Sequence, residues 1–193
     1  MQSKPLLIAI CGRPGSGKSA LQEILHRNYG IVPRDDGDVI RKHCMRIGGL
    51  SEDDVFTQSG KKRFTEVNGM NWQNRKMLGE YGRMIEQMFG ENIVADLAVR
   101  EAHQDWERDK SIIGYSFGSV RRNQGVLYRK LGGIVIQVEK PGVPESGNDF
   151  DLYNTSCINY SILNDGTLKD LEGIVESSPL SYVLKQTRDA EAS

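Results

Sequence analysis

The chain has few cysteines, and their positions exclude the sites that cysteines commonly build. Cys11, Cys44 and Cys157 are the three cysteines among 193 residues, and they are scattered along the sequence. They form no spacing typical of a metal site, and three isolated thiols do not make a disulfide framework. We therefore expect a reducing compartment, with each cysteine acting as a small buried apolar residue.

Long apolar runs and a strong net charge are also missing. The longest apolar stretches are far too short to cross a membrane, so no membrane partner is expected. Residues 1–5 lead straight into an apolar strand pattern and leave no room for a signal peptide, which predicts a cytoplasmic protein. The formal net charge of −1 provides no overall basic field for nucleic acid, although a local basic patch would suffice.

A phosphate-binding motif lies near the start of the chain. Residues 6–11 predict a buried strand before it, and residues 20–26 predict an amphipathic helix after it. In such a turn the backbone N–H groups point at phosphate oxygens, and the helix N-terminus adds partial positive charge. The motif predicts binding of ATP and Mg²⁺, with Lys18 on the β- and γ-phosphates and the Ser19 hydroxyl on the metal. Its pattern, G-x-x-x-x-G-K-[ST], is fitted by Gly12, Arg13, Pro14, Gly15, Ser16, Gly17, Lys18 and Ser19.

Strand and helix patterns alternate along the chain, which predicts an α/β fold of the P-loop NTPase kind. We expect a parallel five-stranded sheet flanked by helices, in a single domain over 1–178. Within this domain, residues 38–107 are expected to form an inserted region that binds the acceptor, the molecule to which ATP passes a phosphoryl group. The polar residues 51–70 are expected to form an insertion or a mobile flap. A partly ordered tail follows over 179–193. The predicted strands are 5–11, 30–33, 111–115, 134–138 and 157–163; the helices are 17–28, 38–47, 71–89, 91–107, 121–131 and 167–177; a loop covers 141–156.

A second candidate site follows the second predicted strand. Asp38 and Arg41 are three residues apart, about one helical turn, so their side chains can face the same way. Asp38 would hold a Mg²⁺-bound water, and the planar guanidinium of Arg41 would bind the acceptor phosphate. With Gly37 and Ile40 they resemble the G-D-x-[LI]-R stretch of adenylate kinases and related nucleoside monophosphate kinases. The alternative is that Asp38 caps a helix and Arg41 is solvated.

A third candidate site follows the predicted strand at 111–115. Arg121 and Arg122 lie beyond its carboxyl end, where open α/β sheets bind ligands. Gln124 offers a donor and an acceptor, which suit a base edge. Alternatively, the arginines are exposed charges at the start of a helix.

The last predicted strand is followed by Asn164, Asp165 and Gly166. In nucleotide kinases such a turn often lies against the adenine of the donor. The alternative is a tight turn before a helix, with Thr167 as the helix N-cap.

Most of the chain, from 6 to about 175, resembles the deoxynucleoside monophosphate kinases of tailed phages, relatives of adenylate kinase. The most specific parts are 120–142, similar to the family's "D-x-R … N-E … G-G-x-V-I-x-V-x-R-P-G" segment, and 162–168, similar to its "I-x-N-D-G-T-L" ending. The resemblance implies ATP-dependent phosphorylation of a (deoxy)nucleoside monophosphate, in the host cytoplasm if the protein is phage-encoded. It also implies that Arg75 and Arg83 help to bind the monophosphate.

The chain departs from that family on the acceptor side. Ser119 stands where the family usually has Asp two residues before its arginine, here Arg121, and Gln124 stands where it has Glu. The segment from that arginine to Asn123 is one residue shorter. A second acceptor therefore stays open, because phage kinases that phosphorylate 5-hydroxymethyluridine within DNA look like relatives on the same scaffold. A third hypothesis is a nucleotide-binding regulatory P-loop protein with little turnover.

The expected reaction is in-line transfer of the γ-phosphoryl group of ATP. Lys18, Mg²⁺, Arg41 and Arg121 would stabilise the charge on the transferring group. A phosphate acceptor needs no general base. A hydroxyl acceptor carries a proton, so Asp38 or Asp36, which we also place on the acceptor side, would then be candidates for the base. The sequence gives no indication of the oligomeric state.

Overall fold

A parallel five-stranded sheet is the centre of the larger of two compact units. The structure, a computed structural model, describes residues 4–145 and 152–191, without the side chains of 188–191. Residues 36–98 form the smaller unit, and the remaining described residues form the larger one. The sheet contains β1 (Leu6–Cys11), β2 (Ile31–Arg34), β5 (Gly114–Phe117), β6 (Ile134–Glu139) and β7 (Tyr160–Leu163), in the order β2-β5-β1-β6-β7, all parallel.

The central position of β1 explains its continuous apolar sequence. β1 is hydrogen-bonded to β5 on one side and to β6 on the other, and both faces of the sheet are covered at this strand. Ile8 and Ile10 are therefore fully buried. They share one hydrophobic cluster with residues of α1 (Lys18–Tyr29), which directly follows the phosphate motif. The predicted α/β fold with five parallel strands and a P-loop between β1 and α1 is therefore confirmed. The remaining helices around the sheet are α6 (Ile93–Arg108), α7 (Gln124–Lys130), α8 (Leu168–Ser177) and α9 (Pro179–Glu191).

The C-terminal segment is part of the core rather than only a partly ordered tail. Pro179 occupies the start of α9, where its missing N–H is not needed. Leu180 and Leu184 recur at helical spacing, are almost fully buried, and belong to the same cluster as Ile24 and Leu171. The C-terminal helix thus contributes to the stability of the larger unit.

The smaller unit is built from four helices, a hairpin and the first turns of α6. Its core includes Ile40, Cys44, Leu50 and Val55, with Met77 packed against them. Met77 belongs to the helix predicted over 71–89, so this helix packs on the core of the smaller unit. The elements are α2 (Asp38–Gly48), α3 (Glu52–Phe56), α4 (Gln58–Lys62), β3 (Phe64–Val67), β4 (Met70–Gln73) and α5 (Asn74–Phe89).

Residues 51–70 contain regular secondary structure that their polar composition did not predict. Ser51 and Asp54 form a capping box at the start of α3, and the Thr57 side chain caps α4. Asn68 and Gly69 both have positive φ, as a two-residue hairpin turn requires, and they join β3 to β4. The helix predicted over 71–89 consequently begins only at Asn74.

Several other predicted boundaries were wrong by a few residues. The strand predicted at 111–115 is β5, which begins at Gly114, paired with Leu6 of β1. The helix predicted over 121–131 begins at Gln124, and the last strand begins at Tyr160 after a short 3₁₀ turn. The predicted loop over 141–156 lies partly outside the described residues, at 146–151. Across the described ranges, no helix is both long and apolar enough to cross a membrane.

Candidate functional site

The phosphate loop, residues 12–17, connects the end of β1 to the start of α1. Its shape depends on glycine at two tightly packed positions. Gly12 has φ +146°, and a Cβ there would lie 2.4 Å from the carbonyl oxygen of Val138. Gly17 caps α1 in the left-handed conformation, and a Cβ there would lie 2.2 Å from Nδ2 of Asn164. No other residue type fits these positions without displacing backbone or a buried amide.

Donor groups concentrate along this loop. Among the described residues, no acceptor is found for the backbone N–H groups of Gly17 and Ser19. Both groups lie at the N-terminus of α1, where the helix dipole is positive. The Lys18 ammonium lies over the loop and donates to the carbonyl oxygens of Gly12 at 2.7 Å and Arg13 at 3.0 Å. Unpaired N–H groups beside an ammonium make a site for an anion such as a phosphate group.

Asn164 contacts the phosphate loop directly. Its side-chain Nδ2 donates to the carbonyl oxygen of Ser16 at 2.8 Å, and its backbone N–H donates to the carbonyl oxygen of Glu139 at 2.7 Å. The next two residues, Asp165 and Gly166, are exposed, and Thr167 caps α8 as predicted. The predicted contact of this turn with adenine stays a prediction, whereas its contact with the loop is a structural finding.

A cavity of about 330 Å³ adjoins the phosphate loop in the larger unit. Arg13 and Ser16 contribute to its wall from the loop, and Glu139 and Leu163 contribute from the strand ends. The Ser16 hydroxyl is buried and finds no hydrogen-bond partner among the described residues. The cavity size is within the range of small-molecule sites, and its wall is partly polar.

Side-chain hydrogen bonds hold three of the residues that line the cavity. Gln137 Nε2 donates to the Tyr153 hydroxyl at 3.0 Å, and Arg13 donates to Val143 O at 3.0 Å and to Glu145 Oε1 at 2.7 Å. Burial raises the pKa of Tyr153, and burial raises the pKa of Cys11 at the end of β1 to about 12. Both groups are therefore neutral at physiological pH. Neither Gln137 nor Tyr153 could be singled out from the sequence, because Gln137 stands at an unspecified position of the segment 120–142 and Tyr153 lies in a predicted loop.

Comparisons with known proteins point to phosphotransferases. The chain is 22% identical over 176 residues to the "Putative deoxynucleotide monophosphate kinase" of Acanthamoeba polyphaga mimivirus, a match covering 86% of this chain and 91% of that protein. It is 28% identical over 85 residues to the mitochondrial GTP:AMP phosphotransferase of Drosophila melanogaster, covering 37% of this chain and 39% of that protein. Dephospho-CoA kinase from Campylobacter jejuni is a similar solved structure, with a TM-score of 0.48, 14% identity, and coverage of 95% of this chain and 98% of that one. No family model matches the chain.

The structure brings Arg121 and Gln124 together at the start of α7. Gln124 is buried, and its Oε1 accepts a hydrogen bond from the backbone N–H of Arg121 at 2.9 Å. Gln124 therefore holds a backbone turn, and its predicted contact with a base edge stays a prediction. Arg122 has φ +44°, and its backbone pairs with Leu152 and Asn154. Arg121 and Arg122 precede the first residue of the helix and are half-buried, so the alternative that they are exposed charges at a helix start is wrong.

Asp38 and Arg41 form an ion pair in the smaller unit. Arg41 donates to Asp38 Oδ1 at 2.6 Å, and its guanidinium lies 5.3 Å from the centre of the Phe56 ring. The Arg41 side chain is only 12% exposed, so it is not solvated as the alternative proposed. Gly37 is the N-cap of α2 and Asp38 follows it, which leaves the Asp38 side chain free of a capping role. Asp36, just before this helix, is buried.

Arg75 and Arg83 both lie on α5, and each has its own exposed hydrogen-bond partner. Arg75 donates to Gln58 Oε1 at 2.7 Å near the start of α5, and Arg83 pairs with both carboxylate oxygens of Glu80 at 3.1 Å. About 12 Å of helix axis separates the two arginines, since each residue adds roughly 1.5 Å. The predicted role of each in binding a monophosphate stays a prediction.

The residues predicted to hold Mg²⁺ have suitable chemistry. Ser19 is exposed in the first turn of α1, where its hydroxyl is an oxygen donor of the type that Mg²⁺ prefers. Asp38 offers a partly exposed carboxylate. Within the described residues, no cluster of three or more His, Cys, Asp or Glu side chains suits a metal ion. Such a cluster is not required, because Mg²⁺ usually takes one or two protein ligands together with water and phosphate oxygens.

Proposed function

We propose that this protein is an ATP-dependent kinase that transfers the γ-phosphoryl group to a nucleoside monophosphate, with deoxynucleotides as the favoured class. The observation that carries the proposal is the phosphate loop. There the N–H groups of Gly17 and Ser19, for which the described residues provide no acceptor, share a helix N-terminus with the Lys18 ammonium. Donors fixed in this way stabilise a transferring phosphoryl group without reorganisation.

The similar proteins support the kinase class and the acceptor. The mimivirus relative, named for deoxynucleotide monophosphates, is similar over most of both chains. The Drosophila relative, named for AMP, supports the same class of acceptor over a shorter stretch. Nucleotide acceptors are anionic, and Arg41 and Arg75 of the smaller unit supply cations for them.

On the donor side, we assign the triphosphate to residues 12–19 and the nucleoside of ATP to the adjoining cavity. Bound Mg²⁺, held by the Ser19 hydroxyl, would neutralise the charge of the phosphate oxygens. Lys18 would exchange its loop carbonyl partners for phosphate oxygens, which form stronger charge-assisted hydrogen bonds. The wall residues Gln137 and Glu139 offer polar groups to the nucleoside.

On the acceptor side, we assign the phosphate of the nucleoside monophosphate to Arg41. Its guanidinium is already oriented by Asp38 and by the Phe56 ring, so little side-chain entropy remains to be lost on binding. Arg75, Arg83 and Arg121 are the further acceptor-side candidates. Because the acceptor atom is a phosphate oxygen, no general base is needed, and positioning with charge stabilisation accounts for the reaction.

The test is phosphoryl transfer from γ-labelled ATP and Mg²⁺ to a panel of ribo- and deoxynucleoside monophosphates. Plain DNA and DNA containing 5-hydroxymethyluracil are offered in parallel, with Lys18→Ala as the control. We expect label in a nucleoside diphosphate with the wild type and a loss of about 100-fold or more with Lys18→Ala.

Two other results would replace the proposal. Label found only in the modified DNA would identify a DNA-modifying kinase, for which Ser119 and Gln124 would be the acceptor-side adaptations. Such an enzyme would also bind DNA with a strong dependence on salt. ATP binding with negligible turnover on every acceptor would identify a regulatory nucleotide-binding protein.

A further inference from the structure

The peptide that joins Ser16 to Gly17 is held from one side by a side chain of the last strand. Its carbonyl oxygen accepts the hydrogen bond from Nδ2 of Asn164, at 2.8 Å, and this contact is buried. A trans peptide points its C=O and N–H in opposite directions. The N–H of Gly17 therefore points away from Asn164, toward a side on which the described residues provide no acceptor.

Asn164 is itself rigidly placed. It directly follows β7, is 7% exposed, and donates its backbone N–H to the carbonyl oxygen of Glu139 at the end of β6. Its amide thus connects the phosphate loop to two strands of the sheet. The contact with Gly17 is so close that a Cβ there would lie 2.2 Å from Nδ2. The glycine at 17 is needed to admit this amide, as well as for its left-handed backbone.

We propose that Asn164 is a positioning residue for phosphate binding, holding the Ser16–Gly17 peptide so that the Gly17 N–H faces a bound phosphate group. This inference rests on the proposed function, because it requires a phosphate in the loop. Without the amide, the peptide is free to rotate its carbonyl toward the phosphate, and an N–H donor would be replaced by a repelling oxygen. The role differs from a contact with adenine, since Asn164 acts through the loop and needs no base in the site.

Inorganic tripolyphosphate is the probe that separates these two roles, because it has the phosphates of ATP but no base or sugar. Isothermal titration calorimetry with Mg²⁺ would compare ATP and tripolyphosphate on the wild type and on Asn164→Ala. Loss of one orienting hydrogen bond is expected to weaken both ligands by the same factor, about tenfold. If Asn164→Ala weakened the binding of ATP but left the Kd for tripolyphosphate within twofold of the wild-type value, the inference would be wrong.

Asn159→Ala is the matched control for a general loss of stability. Asn159 precedes β7, and its Oδ1 accepts a hydrogen bond from the Val135 backbone N–H at 2.9 Å, so it too links a side chain to backbone in this sheet. We expect this variant to bind tripolyphosphate like the wild type. Equal weakening by both substitutions would overturn the specific role of Asn164.

Asn164→Asp tests the hydrogen bond without changing the size of the side chain. An ionised carboxylate cannot donate to the Ser16 carbonyl, whereas a protonated carboxyl can. The ratio of variant to wild-type Kd for tripolyphosphate should be about ten at pH 8 and fall toward one as the carboxyl protonates. A ratio independent of pH would overturn the hydrogen bond as the cause. A wild type that binds neither ATP nor tripolyphosphate would overturn the proposed function as well, and so is distinguishable from failure of the inference alone.

Discussion

Gly12 of the phosphate loop lies directly against the backbone of Val138 in β6. A Cβ on Gly12 would be 2.4 Å from the Val138 carbonyl oxygen, well inside contact distance. The first glycine of the loop therefore packs against the strand beside β1. The conformation of the loop depends on this packing as well as on the loop sequence.

Gly12→Ala should damage the site more than Gly15→Ala. Both glycines have positive φ, +146° and +84°, but a Cβ on Gly15 meets nothing within 4 Å. We expect Gly15→Ala to lower the free energy of unfolding by about 1 kcal/mol through backbone strain, and Gly12→Ala to lower it by about 2–4 kcal/mol through strain and the clash. Urea denaturation would measure the free energy of unfolding of both variants, and titration with ATP would measure their affinity for the nucleotide. Similar losses for the two would contradict the packing of Gly12 on Val138.

Arg41→Lys should weaken the binding of the nucleoside monophosphate acceptor and leave the binding of the ATP donor unchanged. Lysine keeps the positive charge but lacks the planar fork that binds phosphate oxygens and stacks on Phe56. We expect the KM for the nucleoside monophosphate to rise about tenfold, with the KM for ATP nearly unchanged. Arg46→Lys, an exposed change on the same helix, is the matched control and should leave both values as they are. Equal increases in both KM values would remove Arg41 from the acceptor side.

Asp38→Asn should distinguish a phosphate acceptor from a hydroxyl acceptor. With a phosphate acceptor the carboxylate acts only through the metal, so the rate lost in the variant should be recovered in part as Mg²⁺ is raised. With a hydroxyl acceptor the variant lacks the base that takes the proton, so the loss of rate should persist at saturating Mg²⁺. Rates measured over a range of Mg²⁺ concentrations decide between the two. The substitution also weakens the ion pair with Arg41, so an unchanged rate would contradict both roles.

The capping box of α8 should make stability depend on pH. The Thr167 hydroxyl, followed by the Thr167 backbone N–H, lowers the pKa of Asp170. A carboxyl with a lowered pKa in the folded state stabilises the protein above its unfolded pKa, near 4, and loses that contribution as pH falls through the folded value. Thr167→Ala should therefore lower Tm by about 2–4 °C at pH 7, and the difference should narrow below about pH 4.

Ser177→Ala is the control for this pH dependence. The Ser177 hydroxyl bonds the Gly173 carbonyl oxygen at 2.8 Å near the other end of the same helix, with no carboxylate involved. Its effect on Tm should not vary between pH 3 and pH 7. Calorimetry across that range would detect the difference, and parallel curves for the two variants would contradict the role of Asp170.

The C-terminal helix should be required for stability. Leu184 is 1% exposed in the main cluster, so Leu184→Ala is expected to lower the free energy of unfolding by about 2–5 kcal/mol. Lys185→Ala, on the exposed side of the same helix, should change it by no more than about 0.5 kcal/mol. Chemical denaturation would test the pair, and a small loss for Leu184→Ala would contradict the packing of α9.

Local patterns carried the sequence predictions that the structure confirmed. The spacing of glycines, lysine and serine between an apolar strand and an amphipathic helix predicted the phosphate loop, since that loop forms within one stretch of chain. Strand and helix patterns alternate along the chain, and this local pattern predicted the parallel sheet. The polar composition of residues 51–70 predicts a flap, whereas the Asn68–Gly69 pair within them is a strong local signal for the hairpin turn that the structure contains.

Short-range periodicity and turn chemistry specify an α/β fold with a phosphate-binding loop, so both can be predicted from the residues alone. The surroundings of that loop depend on tertiary packing. Asn164 reaches Ser16 across 148 residues only because β6 and β7 extend the sheet beside β1. Leu184 is buried only because α9 packs on the same core as α1. Such contacts depend on strand order and helix packing, which no local pattern specifies.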